Sequence, residues 1–378
     1  PILKSVRITY PQSEDDLPSF NSLKLKLAGV EGWLAEETWH IDRFEPGQSI
    51  NLNSKELRFP FEKLFGITEE VSHELNFKLL TNAEEVLVEQ TAKVNLLPAN
   101  YWGGEERQPA LLAAFVKPNG LYVESLVRKV AHALEKGGYG RAVDGYQSNT
   151  RERPYLMLAA LWNVIFQEKL AYVSPPQGFA KSGQRIRLAA DISQSRIAAC
   201  LDTSLLFASC IEAMGLNAVV AVTDGHAFAG AWLIDEKLPI LTNDDPQDVR
   251  KRVDNRDLIL FETTLVTNDS PVTFEQARER ARELISEDKE SEFVMVIDVA
   301  QARAQSIKPL STVEEAKEEK SSDEVLAELE LPVIPPLPPV RKDEQVVEES
   351  PETRIDSWSR KLLDLTKKNS LLNFSDRA

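Results

Sequence analysis

Cysteine and histidine are scarce in this chain, and positive charge is outweighed by negative. Two cysteines and four histidines among 378 residues cannot build a disulfide framework. A stretch of expected helix separates Cys200 from Cys210, so both are expected as reduced thiols. No cluster of Cys and His is present to hold a structural zinc, and no cofactor is implied. The formal charge is −16, from 44 Lys and Arg against 60 Asp and Glu. So acidic a chain is a poor match for a polyanionic backbone, and direct nucleic-acid binding is not expected. Long apolar runs are missing as well. None approaches the roughly 18–20 residues that span a bilayer, and the opening PILKSVRITYPQ lacks the apolar stretch of a signal peptide. A cytoplasmic setting with no membrane contact is therefore expected.

What is there is enough apolar residue, 42%, for two or three cores at roughly 100–200 residues per domain. Residues 1–98 alternate apolar and polar positions in short runs (ILKSVRITY, SLKLKLAG, SINLNSKELRF, ELNFKLLT, VLVEQTAKVNLL) separated by Pro, Gly, Asn and Asp, which predicts a β-sandwich. NYWGGEE then reads as a hinge with Trp102 as its anchor. From Pro109 the spacing turns helical, broken at Pro118 and Gly120 and ended by Gly137 and Gly138. A second helix follows in PYLMLAALWNVIFQEKL, with Pro154 acceptable in its first turn. The loop SPPQGFAKSGQ leads to a third helix from near Cys200 to Gly215, apolar over a wide surface and therefore expected at a domain centre. NAVVAVTDG, HAFAGAWLID and DLILFETTLV read as strands, with a polar loop before the last. TFEQARERARELI and EFVMVIDVA add a helix and a strand. Helices followed by sheet predict an α+β domain over 99–305. Residues 306–352, first Glu, Lys and Ser, then PVIPPLPPV, then acid again, read as a charged, partly polyproline tether. Residues 353–378 regain helical spacing and read as the start of a further helical domain.

Three residues in the second domain can do chemistry together. Cys200 opens a buried helix, His226 begins a strand in DGHAFAGAWL, and Glu262 lies in the strand phrase LILFETTLV. A cysteine nucleophile acts as the thiolate, and a helix N-terminus favours negative charge. A histidine within hydrogen-bond reach takes its proton and returns it to the leaving group, while a carboxylate accepting from the other ring nitrogen fixes tautomer and orientation. Such a site also needs a neutral donor where charge develops on the substrate oxygen. Gln184 is the better candidate and Gln147 the other. Asp202 is expected to support the helix N-terminus, and GQRIR forms a small basic loop that could bind a carboxylate or phosphate, with a structural salt bridge as its plain explanation.

The run from about 109 to 268 resembles the transglutaminase-like, papain-related superfamily, through LAYVSPP, CLDTSLLFASCIEAMGLNAVVA, GHAFAGAWL and FETT. The resemblance implies a cysteine hydrolase acting on a polypeptide through an acyl-enzyme, with Cys200 as nucleophile, His226 as acid/base and Glu262 as orienting acid. Many members have Asp at the third position and Gly just before the cysteine, where this chain has Glu262 and Ala199. YWGG, LLAAFVKPN, DGYQ, GQRIRLAADI and KLLDLTKKNSLLNF extend the resemblance to the N-terminal region of large bacterial superfamily I helicase proteins. It implies helicase domains downstream as partners within one longer protein, and a place in antiviral defence or genome maintenance.

The plain alternatives are specific. Cysteines are among the most buried residues, so a Cys on an apolar helix is ordinarily packing, and Cys210 fits that description. Trp232 reads as core. The competing function is a catalytically idle module of the same fold, serving as a sensor or docking platform for the helicase. The discriminating observation is the surroundings of the Cys200 sulfur: an imidazole beside it, open to a groove, or apolar atoms alone.

Overall fold

The computed structural model describes residues 5–12, 18–28, 34–53, 63, 66–175, 181, 183–311, 335 and 337. The terminal phrase KLLDLTKKNSLLNF, and the tether apart from its first residues and Pro335 and Leu337, lie outside the described residues. The fold is mixed helix and sheet.

The first part carries β1 (Ser5–Thr9), β2 (Phe20–Leu27), β3 (Glu37–Phe44), β4 (Ser49–Asn53), β5 (Val71–Leu80) and β6 (Val86–Leu96). An antiparallel sheet runs in the order β3-β2-β5-β6, and β1 pairs with β4. Alternation along β2 buries Leu23, Leu25 and Leu27 against Trp39, Ile41, Leu75 and Leu79, with Val6, Ile8, Ile50 and Leu52 of the second sheet packed on them. Lys24 and Lys26 face outward and share Glu84 at 2.8 and 2.9 Å. A slip of one residue would turn the leucines out and the lysines in, so the register is fixed by burial.

The second part begins with β7 (Tyr101–Trp102), a 3-10 turn over Pro109–Phe115, α1 (Leu121–Lys136) and α2 (Glu152–Gln167). Short elements follow: β8 (Ala171–Tyr172), β9 (Gln184–Arg185), α3 (Ala189–Ser195) and β10 (Ile197–Ala198). Then come α4 (Cys200–Ala213), β11 (Ala218–Thr223), β12 (His226–Trp232), β13 (Thr242–Asn243), α5 (Pro246–Asp254) and β14 (Leu258–Phe261). α6 (Phe274–Leu284), β15 (Phe293–Asp298) and α7 (Val299–Ala304) complete it. The sheet order is β13-β15-β11-β12-β14, antiparallel at every pairing. No helix among the described residues is long and apolar enough to cross a membrane.

Both faces of this sheet are covered. On one, Ala227, Ala229 and Ala231 of β12 share a core with α4, whose residues from Cys200 to Ile211 are all buried. On the other, Phe228 and Trp232 pack with Val249 of α5 and Ala281 and Leu284 of α6. An aromatic cluster ties α2, α4, β14 and α6 together. Phe207 meets Phe261 edge-on at 5.2 Å and stacks on Trp162 at 5.8 Å, while Phe261 meets Phe274 at 5.2 Å. The Trp162 indole donates to the Val272 carbonyl at 2.8 Å, which satisfies its one polar atom. Asp298, wholly buried, accepts from the Trp232 indole and the Leu238 and Gln301 amides at 2.8–2.9 Å. That carboxylate joins β12 to β15 and caps α7.

Two elements differ from the sequence reading. The expected polar loop before β14 contains α5, which buries only Val249 and so shows little apolar periodicity. Its signal was Asp245-Pro246, since the Asp245 carboxylate accepts from the Gln247 and Asp248 amides and proline suits the first helical position. The DLILFETTLV strand stops at Phe261, and the chain turns into a 3-10 helix over Thr263–Thr267 capped by Glu262.

At Gly230, in the middle of β12, the neighbouring strands leave no room for a side chain. A Cβ there would stand 2.4 Å from the Ile259 carbonyl oxygen and 2.5 Å from Leu260 Cδ2. Gly230→Ala is expected to destabilise the chain by about 1–3 kcal/mol through overpacking, read as a lower urea midpoint at unchanged m-value. An unchanged midpoint would show that β12 and β14 part at little cost.

Candidate active site

The structure brings Cys200, His226 and Glu262 together. Cys200 is the first residue of α4, and Ala199 before it is extended. His226 is the first residue of β12, immediately after the turn at Gly225. Strand alternation alone would place His226 on the Phe228 face, away from α4. It reaches the helix because it sits at the strand's end, where the sheet no longer separates the faces. β12 and β14 run antiparallel with Ala229 opposite Phe261, so the start of one and the exit of the other lie at one end of the sheet.

His226 Nε2 and Glu262 Oε2 are 2.5 Å apart. Cys200 hydrogen-bonds to the same ring. Burial opposes charge on this ring, but the hydrogen bonds with Cys200 and Glu262 and their negative charge outweigh it, and the imidazole is pushed up to about 10. Glu262 is 3% exposed. Its second oxygen, Oε1, accepts from the Thr264 amide at 2.9 Å and the Thr264 hydroxyl at 2.8 Å, and its own N–H donates to the Ala277 carbonyl at 2.9 Å. The extra methylene of glutamate is accommodated because the carboxylate is held from the turn that follows it.

A second linkage joins the cysteine to the same turn. The Thr203 and Ser204 hydroxyls donate to the Cys200 carbonyl at 2.9 and 2.7 Å, and both lie within 3.0 Å of the Thr263 hydroxyl. Asp202 holds the other side of Cys200. Its carboxylate accepts from the Ala199 amide at 2.8 Å and the Arg187 amide at 2.9 Å, and pairs with the Arg187 guanidinium at 3.1 Å. The helix support expected of Asp202 and the salt bridge expected of GQRIR are thus one structure. Cys210 is wholly buried, and burial pushes its thiol upward, as befits packing. Gln147 is exposed on the turn after Asp144.

Gln184 is 3% exposed, and among the described residues neither atom of its side-chain amide has a hydrogen-bond partner. It lines a cavity of about 720 Å³ with Ala199, Ser174, Arg185, Arg187 and Gln194. β9 presents it by pairing with β7, Gln184 opposite Trp102. Gly183 makes that pairing possible: at φ +83° a Cβ would stand 2.0 Å from the Trp102 carbonyl oxygen. Trp102, the expected anchor, is buried with its indole N–H also unpartnered among the described residues.

Sequence reasoning missed Tyr172. Parallel pairing of β8 with β10 sets it opposite Ala198, two residues before Cys200. Burial and the negative charges of Cys200 and Glu262 push its phenol up, and its hydroxyl donates to the sulfur. The Tyr172 side of the site is open, at 45% exposure, while Cys200 has none. The tyrosine stands in LAYVSPP, a phrase otherwise noted only for its likeness to the superfamily. The hydroxyl pairs at Thr203, Ser204 and Thr263 had no sequence signal, because such pairs depend on two distant segments meeting.

Thr263→Val keeps the shape of the side chain and deletes the hydroxyl shared by α4 and the Glu262 turn. It is expected to cost about 1–3 kcal/mol, since buried hydroxyls on the helix lose a partner, and to slow alkylation of Cys200 by iodoacetamide. An unchanged rate would show that this bridge does not position the sulfur. Comparison with protein-family models, with curated proteins and with solved structures returns no match, so what is known of the site is its geometry.

Proposed function

We propose that the chain is a transglutaminase-like cysteine hydrolase, a peptidase or amidase, formed by a β-sandwich over 1–98 and an α+β catalytic domain over 99–305. Cys200 attacks an acyl carbon as the thiolate, His226 protonates the departing amine, and Glu262 holds the imidazolium. The acyl-enzyme thioester is then resolved by water that His226 deprotonates. Gln184 donates to the oxyanion alongside the backbone N–H groups at the start of α4, which no helix carbonyl satisfies. We place these domains at the front of a longer bacterial helicase protein, in antiviral defence or genome maintenance. The observation that carries the reading is a single imidazole hydrogen-bonded on one side to a cysteine at a helix N-terminus and on the other to a buried glutamate. The cavity beside Ala199 supports a polypeptide substrate, since its lining of Ser, Gln and Arg suits an extended, polar main chain.

A second reading has its own support. Cys200 has no exposed surface and Tyr172 stands over it, as expected of an idle docking module. Labelling by an electrophilic peptidyl acyl probe separates the two. Wild type should be labelled at one site and Cys200→Ala at none, with His226→Ala slower by about 10²–10⁴-fold. Absence of labelling in wild type, or equal labelling of Cys200→Ala, rejects the hydrolase.

The pH profile gives an independent check. A ring pushed up to about 10 stays protonated through neutral pH, so acylation that needs the imidazolium should hold steady there and decline as pH rises through about 10. Glu262→Gln removes the carboxylate charge that favours the protonated ring. The declining limb should then move to lower pH. A limb that stays in place would show that Glu262 does not hold the imidazolium.

A further inference from the structure

The groove on the outer side of β14 already has an occupant. β14 is the last strand of its sheet, flanked by α5 and α6, and the cavity beside it, about 270 Å³, is lined by Leu233, Val253 and Leu260 together with the charged Asp254, Arg278 and Arg282. Two residues far along the chain complete that lining, Pro335 and Leu337. Both are half-buried, and Leu337 packs against the main core. They come from PVIPPLPPV at 332–340, the stretch otherwise read as a spacer. Between them and Ser311, the last described residue before them, stand 23 residues, 312–334.

The chemistry of the groove suits that occupant. A proline-rich strand has three residues per turn, makes no internal hydrogen bonds and leaves its carbonyls free to accept, while its fixed φ lowers the entropy lost on docking. The groove offers aliphatic side chains from β14 and α5 and a donor with nothing to donate to. Arg278 Nε is buried and has no partner among the described residues, although Nη1 of the same side chain binds Glu275 at 2.5 Å and the guanidinium lies 5.3 Å over the Tyr155 ring. A flat guanidinium on an aromatic ring, beside a groove that mixes aliphatic and charged side chains, is a surface on which a proline ring and an accepting carbonyl can be seated together.

We propose that this groove is a proline-rich-strand binding site that holds the chain's own 332–340 segment in cis through Pro335 and Leu337. The segment is thereby an anchor point on the domain. Covalent connection presents it at high effective concentration, so a free peptide of the same sequence competes poorly.

The test uses the full chain and a fluorescein-labelled PVIPPLPPV peptide, read by polarisation. Pro335→Gly combined with Leu337→Ser removes from the groove the two side chains that line it. This variant should bind the peptide at least about tenfold more tightly than wild type, and adding Arg278→Gln should remove most of that gain. A peptide with serines for the prolines should not bind. No binding to the opened variant, or equal binding to opened and wild-type chains, overturns the proposal. Hydrogen exchange gives a readout that needs no added peptide. The amides of Leu258–Phe261 should exchange at least about tenfold faster in the opened variant, and unchanged exchange would likewise overturn it.

Discussion

Everything at the candidate site depends on how α4 is seated against β12 and β14. Phe207 lies two turns along the helix from Cys200, Phe261 immediately precedes Glu262, and their rings meet at 5.2 Å. That contact fixes the distance between the element that carries the sulfur and the one that carries the carboxylate. Ala227, Ala229 and Ala231 let the helix approach β12 closely, which brings the first turn of α4 level with His226. Interiors pack like crystals and not like oil, so a helix enclosed on all sides has little freedom to slide. The fully buried α4 is thus the ruler of the site, and its uniform apolarity is the cause.

Polar contacts then complete what packing begins. Cys200 is gripped from two directions: Asp202 takes the Ala199 amide before it, and the Thr203, Ser204 and Thr263 hydroxyls gather at its carbonyl. Glu262 is likewise held from both ends, by Thr264 at Oε1 and by His226 at Oε2. In a low-dielectric setting each of these bonds is strengthened, and an unpaired member would be costly. Against this background Gln184 stands out, a buried amide with neither atom used among the described residues. A preorganised donor without a partner suits a group that arrives only with substrate.

Much of the arrangement could be read from sequence. The helix breaks at Pro118 and Gly120, the apolar helix from Cys200 and the strands around His226 follow directly from period and punctuation, because burial imposes 3.6- and 2-residue repeats on any chain. The ends of elements were less visible. Glu262 reads as a strand residue in LILFETTLV, yet it caps a turn, since the Thr264 amide and hydroxyl compete for its carboxylate. α5 was hidden because one buried valine leaves no apolar stripe, although Asp245-Pro246 marked its start. Tyr172 and the threonine–serine cluster were invisible in principle: their partners come from segments that only tertiary structure brings together. The roles proposed for the residues come from the resemblance to thiol hydrolases, since pattern alone does not contain them.

The bridge between Thr203 and Thr263 spans 60 positions of chain, and His226 and Glu262 both lie within that interval. A chain emerging from the ribosome exposes its sulfur long before the strand that bears the carboxylate exists. Until β14 closes the sheet there is no imidazole pair, no cap and no ruler, and Cys200 is a thiol like any other. Whatever reactivity the site has therefore requires segments far apart in the chain to be seated together.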